Sequence, residues 1–175
     1  MSKANQLLLP SVNKLLRAVN VKVFTYTEVL EKFELKPYHY EAIQNFKGFY
    51  DPELNIIGFD DNCQENANEI VLHELIHLTG SEGRVGRQYV KTVNQNLRSE
   101  FFEEVSNKNK QTEEATAQIG MFKLILVLGV NPAFYADACF EYIKNLPKAN
   151  FKKADRDSDK AVHYLMRFMG EEKVA

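Results

Sequence analysis

The stretch Ile70-Val71-Leu72-His73-Glu74-Leu75-Ile76-His77-Leu78 governs how the rest of the chain is read. Four residues make just over one helical turn, so on a helix His73 and His77 leave the same face and reach one metal ion. Glu74 stands about 100° further round, beside the metal and off its axis. A carboxylate there suits a general base acting on water at the metal. The flanking Ile70, Val71, Leu72, Leu75, Ile76 and Leu78 make the helix a buried one. Two imidazoles and a carboxylate in such surroundings are costly without partners. The stretch therefore predicts a zinc (Zn2+) site ligated by His73 and His77, with Glu74 as the catalytic base.

Two ligands leave such a site incomplete; a third protein ligand is needed, with one position left open. Past His77 the chain runs Leu78-Thr79-Gly80-Ser81-Glu82-Gly83. Gly83 stands where a metzincin needs its third histidine, and glycine has no ligating side chain. The gluzincin solution takes a glutamate from a later helix, and Thr112-Glu113-Glu114-Ala115-Thr116-Ala117-Gln118-Ile119-Gly120 offers a candidate. Two acids in a first helical turn also suit the positive helix end, which is the plainer explanation. Against it, Ala115, Ala117 and Gly120 are small enough to let this helix approach another closely. Glu114 is favoured as the third ligand, with Glu113 as the alternative. One turn beyond Glu114 stands Gln118, a polar group able to orient a ligand histidine from behind. One turn beyond Glu113 stands Ala117, which cannot. His39 and His163 lie in no motif and read as ordinary surface or satisfied core residues.

Around this centre the periodicity predicts a mostly helical α+β domain with one small sheet. Ser11 caps a short helix carrying Leu15, Leu16 and Val19; Val21 to Phe24 forms a strand; Thr27 opens a second helix with Val29, Leu30 and Phe33. Residues 46–59 read as a hairpin turning at Asp51-Pro52-Glu53, because proline presets the backbone angle of a tight turn. Asp60, Asp61 and Asn62 cap a helix that runs to about Leu78 and stops at Thr79-Gly80. A helix is expected around 88–105. Thr112 caps a long helix through Leu128 that Gly129 stops, and Pro132 begins another that ends before Pro147. A last helix starts near Ser158 and presents Ala161, Val162, Leu165 and Phe168.

Composition narrows the function classes. A chain of 175 residues builds one domain with a substantial core. Hydrophobic residues make up 45% and charged residues 26%, an ordinary soluble balance. The net charge of −2 supplies no overall positive field to draw the chain to nucleic acid. Leu7-Leu8-Leu9 ends at Pro10, too short for a signal-peptide core or a membrane span, so no membrane association is expected. Cys63 and Cys139 lie far apart with no further cysteine near either, and read as reduced thiols of a cytoplasmic protein.

The run His73-Glu74-Leu75-Ile76-His77-Leu78-Thr79-Gly80, then Arg84-Val85-Gly86-Arg87, then Glu113 to Gly120, resembles the zincin-like metallopeptidase domain of ArdC-type antirestriction proteins. Related domains occur in plasmid primases and phage polyvalent proteins. The resemblance runs in order from about Tyr50 to Leu165. It implies a zincin-like fold filling residues 1–175 as one domain. Residues 1–45 would be an extension packed on the family-like region 46–170. It also implies a His-His-Glu zinc site carried by a phage or plasmid, acting against bacterial defence in the host cytoplasm. Gln118 stands where the family often has an acid, so its support of a histidine would be neutral and weaker. The family's single-stranded-DNA-binding domain is a separate N-terminal one, and 45 residues are too few for it. Nucleic-acid binding is therefore left open.

These readings converge on zinc-dependent peptide hydrolysis, with a peptide or protein substrate lying extended along the hairpin edge. An oxyanion donor is required by the chemistry, and Tyr89 and Arg84 are candidates. The alternative is a zinc-containing binding module without turnover, occluding a host defence protein or a single-stranded DNA complex.

Overall fold

A computed structural model describes residues 2–81, 84–87 and 100–171, with backbone alone for 100–106, 133, 134 and 171. The architecture is α+β and mostly helical, with a three-stranded mixed sheet. Compactness divides the chain into two units, Met1–Leu75 with Arg167–Ala175, and Ile76–Met166. No helix of the described residues is long and apolar enough to cross a membrane. Cys63 and Cys139 form no disulfide.

The first unit is organised by strands β1 (Lys22–Thr25), β2 (Gly48–Asp51) and β3 (Ile56–Phe59), in the order β1-β3-β2. All four residues of β3 are buried, as an apolar run at the centre of a sheet should be. The expected hairpin forms, with Tyr50 opposite Ile57 and Asp51 opposite Ile56. Asn55 closes it at φ 52°, a left-handed angle that asparagine tolerates. Strand β1 runs parallel to β3, with Val23 opposite Ile57. Parallel neighbours need a long crossover, supplied by α3 (Tyr26–Lys32), α4 (Pro37–Asn45) and β2. Part of the N-terminal stretch thus enters the sheet itself.

Several helix starts differ from expectation, each for a local reason. Helix α1 (Lys3–Gln6) was not anticipated; α2 (Pro10–Ala18) begins on Pro10, which leaves Ser11 inside it rather than at its cap. Thr25, not Thr27, caps α3 through a reciprocal box with Glu28. The Thr25 hydroxyl accepts the Glu28 N–H at 3.3 Å, and the Glu28 carboxylate accepts the Thr25 N–H at 3.1 Å. Glu28 also accepts the Lys3 N–H at 2.9 Å, so one buried carboxylate starts two helices. Helix α4 is pinned by His39, which is 1% exposed. Its Nδ1 accepts the Lys36 N–H at 3.0 Å, which leaves Nε2 to donate to Asp51 Oδ2 at 2.7 Å. His39 is the satisfied core histidine that its lack of a motif suggested. Asp60 caps a 3-10 turn (Asp61–Asn66), and α5 proper is Ala67–Thr79.

The second unit begins with the last turn of α5 and holds α6 (Glu100–Val127), α7 (Ala133–Lys144) and most of α8 (Phe151–Glu171). Of the helix expected at 88–105, residues 88–99 lie outside the described residues, and 100–105 belong to α6. Thr112 is not a cap but an interior residue of α6. Its hydroxyl donates to the Lys108 carbonyl at 2.7 Å and accepts the Asn150 N–H at 3.0 Å. A threonine that satisfies itself on the preceding turn looks in sequence like one that starts a helix. Gly129 stops α6 as expected, at φ 71°, with the Val130 N–H returning to the Ile125 carbonyl at 3.0 Å. Helix α8 starts at Phe151, well before Ser158, because the Asn150 side chain caps it by accepting the Lys153 N–H.

Helix α6 approaches the last turn of α5 at Gly120, where an added Cβ would lie 2.8 Å from Ile76 Cδ1. Ile76 is fully buried and has little room to yield. The Gly120→Val variant should lose about 1–3 kcal/mol of stability to overpacking. Urea unfolding measures it, and a variant as stable as the parent would contradict this packing.

Candidate metal centre

Helix α5 is held by an apolar face in which Val71, Leu72, Leu75, Ile76 and Leu78 are fully buried. That burial sets the helix rotation and turns His73 and His77 the other way, half-buried and one turn apart. Glu114, on α6, completes a group that can hold a metal ion. The ligand atoms of His73, His77 and Glu114 all lie within 4.8 Å of one another. Two donors about 2.1 Å from a tetrahedral ion stand roughly 3.4 Å apart. His77 Nε2 and Glu114 Oε1 already stand 3.5 Å apart. The expected trio is therefore brought together, with Glu114 rather than Glu113 facing Nε2 of His77.

Glu113 has a different task, one that sequence reasoning did not assign. Its Oε1 accepts from His77 Nδ1 at 2.9 Å, which fixes the ring and its tautomer with Nε2 toward Glu114. Arg87, only 5% exposed, grips the same carboxylate with two nitrogens, Nε reaching Oε2 at 2.8 Å. The guanidinium also donates to the Thr79 hydroxyl at 2.7 Å and to the Ile76 carbonyl at 2.8 Å, at the end of α5. A buried ion pair is tolerated when its remaining donors are satisfied in this way. The sequence signal for it was Arg84-Val85-Gly86-Arg87, seven to ten residues past the motif. Gln118 is buried one turn beyond Glu114, and its backbone carbonyl accepts from the Cys139 thiol at 3.8 Å. Arg84 donates to the Leu78 carbonyl at 3.4 Å, and Tyr89 lies outside the described residues.

Glu74 is buried on the turn of α5 that carries His73. Gly48, the first residue of β2, lies against it: a Cβ there would come 3.3 Å from Glu74 Oε1 and would collide with Ile70. Only a residue without a side chain allows β2 so close to this carboxylate. The Tyr26 phenol donates to the Phe46 carbonyl at 2.8 Å. Its pKa is pushed up first by burial and then by the charge of Glu74.

The electrostatics of the ligands follow from this arrangement. Burial disfavours the charged form of His77, but the charges and hydrogen bonds of Glu114 and Glu113 outweigh it and hold the pKa well above 6.5. An ion taking Nε2 must displace a proton, so affinity rises with pH until that raised value is passed. Burial likewise pushes Glu113 up, and the hydrogen bonds from His77 and Arg87 overcome it, bringing the carboxyl down to about 2. A lowered carboxylate pKa contributes stability that is complete above its ordinary 4.5 and is lost as pH falls to about 2. In urea titrations Glu113→Gln should lose less stability than the parent across that acid window. Its affinity for added Zn2+ at neutral pH should fall by about 10–100-fold. Equal acid slopes and equal affinity in the two proteins would contradict the role given to Glu113.

No protein-family model, curated protein or solved structure matches this chain.

Proposed function

We propose that this chain is a zinc metallopeptidase of the gluzincin type, His73, His77 and Glu114 being the ligands and Glu74 the base. The observation that carries it is the convergence of those three donors on one point beside a helix that also bears Glu74. Two imidazole nitrogens and one carboxylate oxygen suit zinc, and three protein ligands leave a position for water or substrate. When bound, zinc polarises a carbonyl and acidifies water.

The chain's own residues supply the rest. Glu74 accepts a proton from the attacking water as its oxygen adds to the scissile carbonyl carbon. The same carboxyl then gives the proton to the amine as the C–N bond breaks. A peptide extended along β2 would add a strand to the sheet on the side away from β3. The approach of Gly48 to Glu74 supports that edge, since it brings β2 beside the base. The role in counter-defence and the phage or plasmid setting follow the resemblance to antirestriction proteins.

Replacing Glu74 with Gln keeps the shape and removes the base. Zinc should remain at one ion per chain while hydrolysis of peptides in a host lysate, read as new protein termini, falls by about 10²–10⁴-fold. Cleavage at the parent's rate by Glu74→Gln would remove Glu74 from the mechanism. Lysate binding without new termini, unchanged by a chelator, would mean that the domain is a non-catalytic module.

A further inference from the structure

Glu113 and Glu114 are adjacent on α6 and both reach His77, one at each ring nitrogen, but each has a further partner of its own. Glu113 is taken up by Arg87 and by His77 Nδ1. Glu114 is more exposed, and its two oxygens are distinguished: Oε1 stands 3.5 Å from His77 Nε2, while Oε2 accepts the Tyr142 hydroxyl at 2.8 Å. Tyr142 lies on α7 and is 41% exposed, so deep burial is not what holds its ring there.

A glutamate side chain has three torsions, and its two oxygens are chemically equivalent until something distinguishes them. A phenol donating to one oxygen limits rotation of the carboxylate and occupies a lone pair of that oxygen. The oxygen so engaged is less available to an ion, and the other is the one facing His77. Hydrogen bonds to ligating carboxylates commonly tune metal affinity in this way.

We propose that Tyr142 is the positioning residue of the metal centre, its hydroxyl fixing Glu114 Oε2 so that Oε1 alone serves as the ligand. The proposal rests on the metal reading above. Tyr142 acts through Glu114, and its effect falls on the affinity and coordination of the ion rather than on the fold.

The test titrates the full chain with Zn2+ against a chromophoric chelator, comparing the parent, Tyr142→Phe and Phe140→Ala. Phe140 sits on the same helix, 61% exposed, with Lys144 over its ring. The expected result is one zinc per chain in all three, with affinity weakened by about 10–100-fold in Tyr142→Phe alone. The visible spectrum of the Co2+-loaded protein should also change in Tyr142→Phe, as Glu114 gains freedom to offer both oxygens. Urea unfolding of the chelator-treated Tyr142→Phe variant should match the parent, which a purely structural clamp between α6 and α7 would not give. Equal zinc affinity and cobalt spectra in the parent and Tyr142→Phe would overturn the proposal while leaving the metal centre intact. An equal loss in Phe140→Ala would also overturn it, by tracing the effect to the packing of α7. A parent that takes up no zinc would overturn the metal reading and this inference together.

Discussion

The guanidinium of Arg87 ties the end of α5 to α6, and the arrangement of the second unit follows from how it is satisfied. Its donors reach the Ile76 carbonyl, the Thr79 hydroxyl and both oxygens of Glu113. Each would be expensive to bury alone. Together they satisfy the C-terminal end of a helix and a buried carboxylate at once. The close approach at Gly120 gives these polar groups their range: with a larger residue there, α6 would stand further from Ile76. The carboxylate that Arg87 holds also accepts from His77.

Two adjacent glutamates thereby acquire separate chemistry. Neighbouring residues on a helix point about 100° apart, so one can face a buried arginine while the other lies more exposed. Glu113, desolvated and paired, keeps its charge down to strongly acid pH and orients an imidazole. Glu114, less buried and held by a phenol, keeps one oxygen toward that imidazole. Environment, rather than residue type, separates these two carboxylates.

Within the first unit, a strand comes close to the buried carboxylate of Glu74. Strand β2 is steadied by the turn at Asp51, whose carboxylate accepts from the Leu54 N–H, His39 and the Tyr38 hydroxyl. Those bonds hold Asp51 below the ordinary carboxylate range despite the opposing effect of its burial. With one end of the strand so fixed, the other brings Gly48 against Ile70 and Glu74, where only hydrogen fits. The hairpin expected from Asp51-Pro52-Glu53 is present, but sequence did not reveal that its first strand reaches Glu74.

Local patterns determined what needed only local physics. The apolar periodicity of Ile70 to Leu78 set the helix and turned His73 and His77 to one side, because both depend on a rise and twist that every helix shares. The hairpin and the stop at Gly129 were equally local. A capping box at Thr25-Glu28 and a cap at Asn150 were also written in the sequence, but equally plausible hydroxyls at Thr27 and Ser158 obscured them. The helix, with its two histidines, was legible from Ile70 to Leu78 alone. Tertiary structure decided that Glu113 meets Nδ1 of His77 while Glu114 faces its Nε2, that Arg87 holds Glu113, and that Tyr142 holds Glu114. Those choices depend on how helices distant in sequence rotate and approach, and no periodicity within one segment records the angle at which another will meet it.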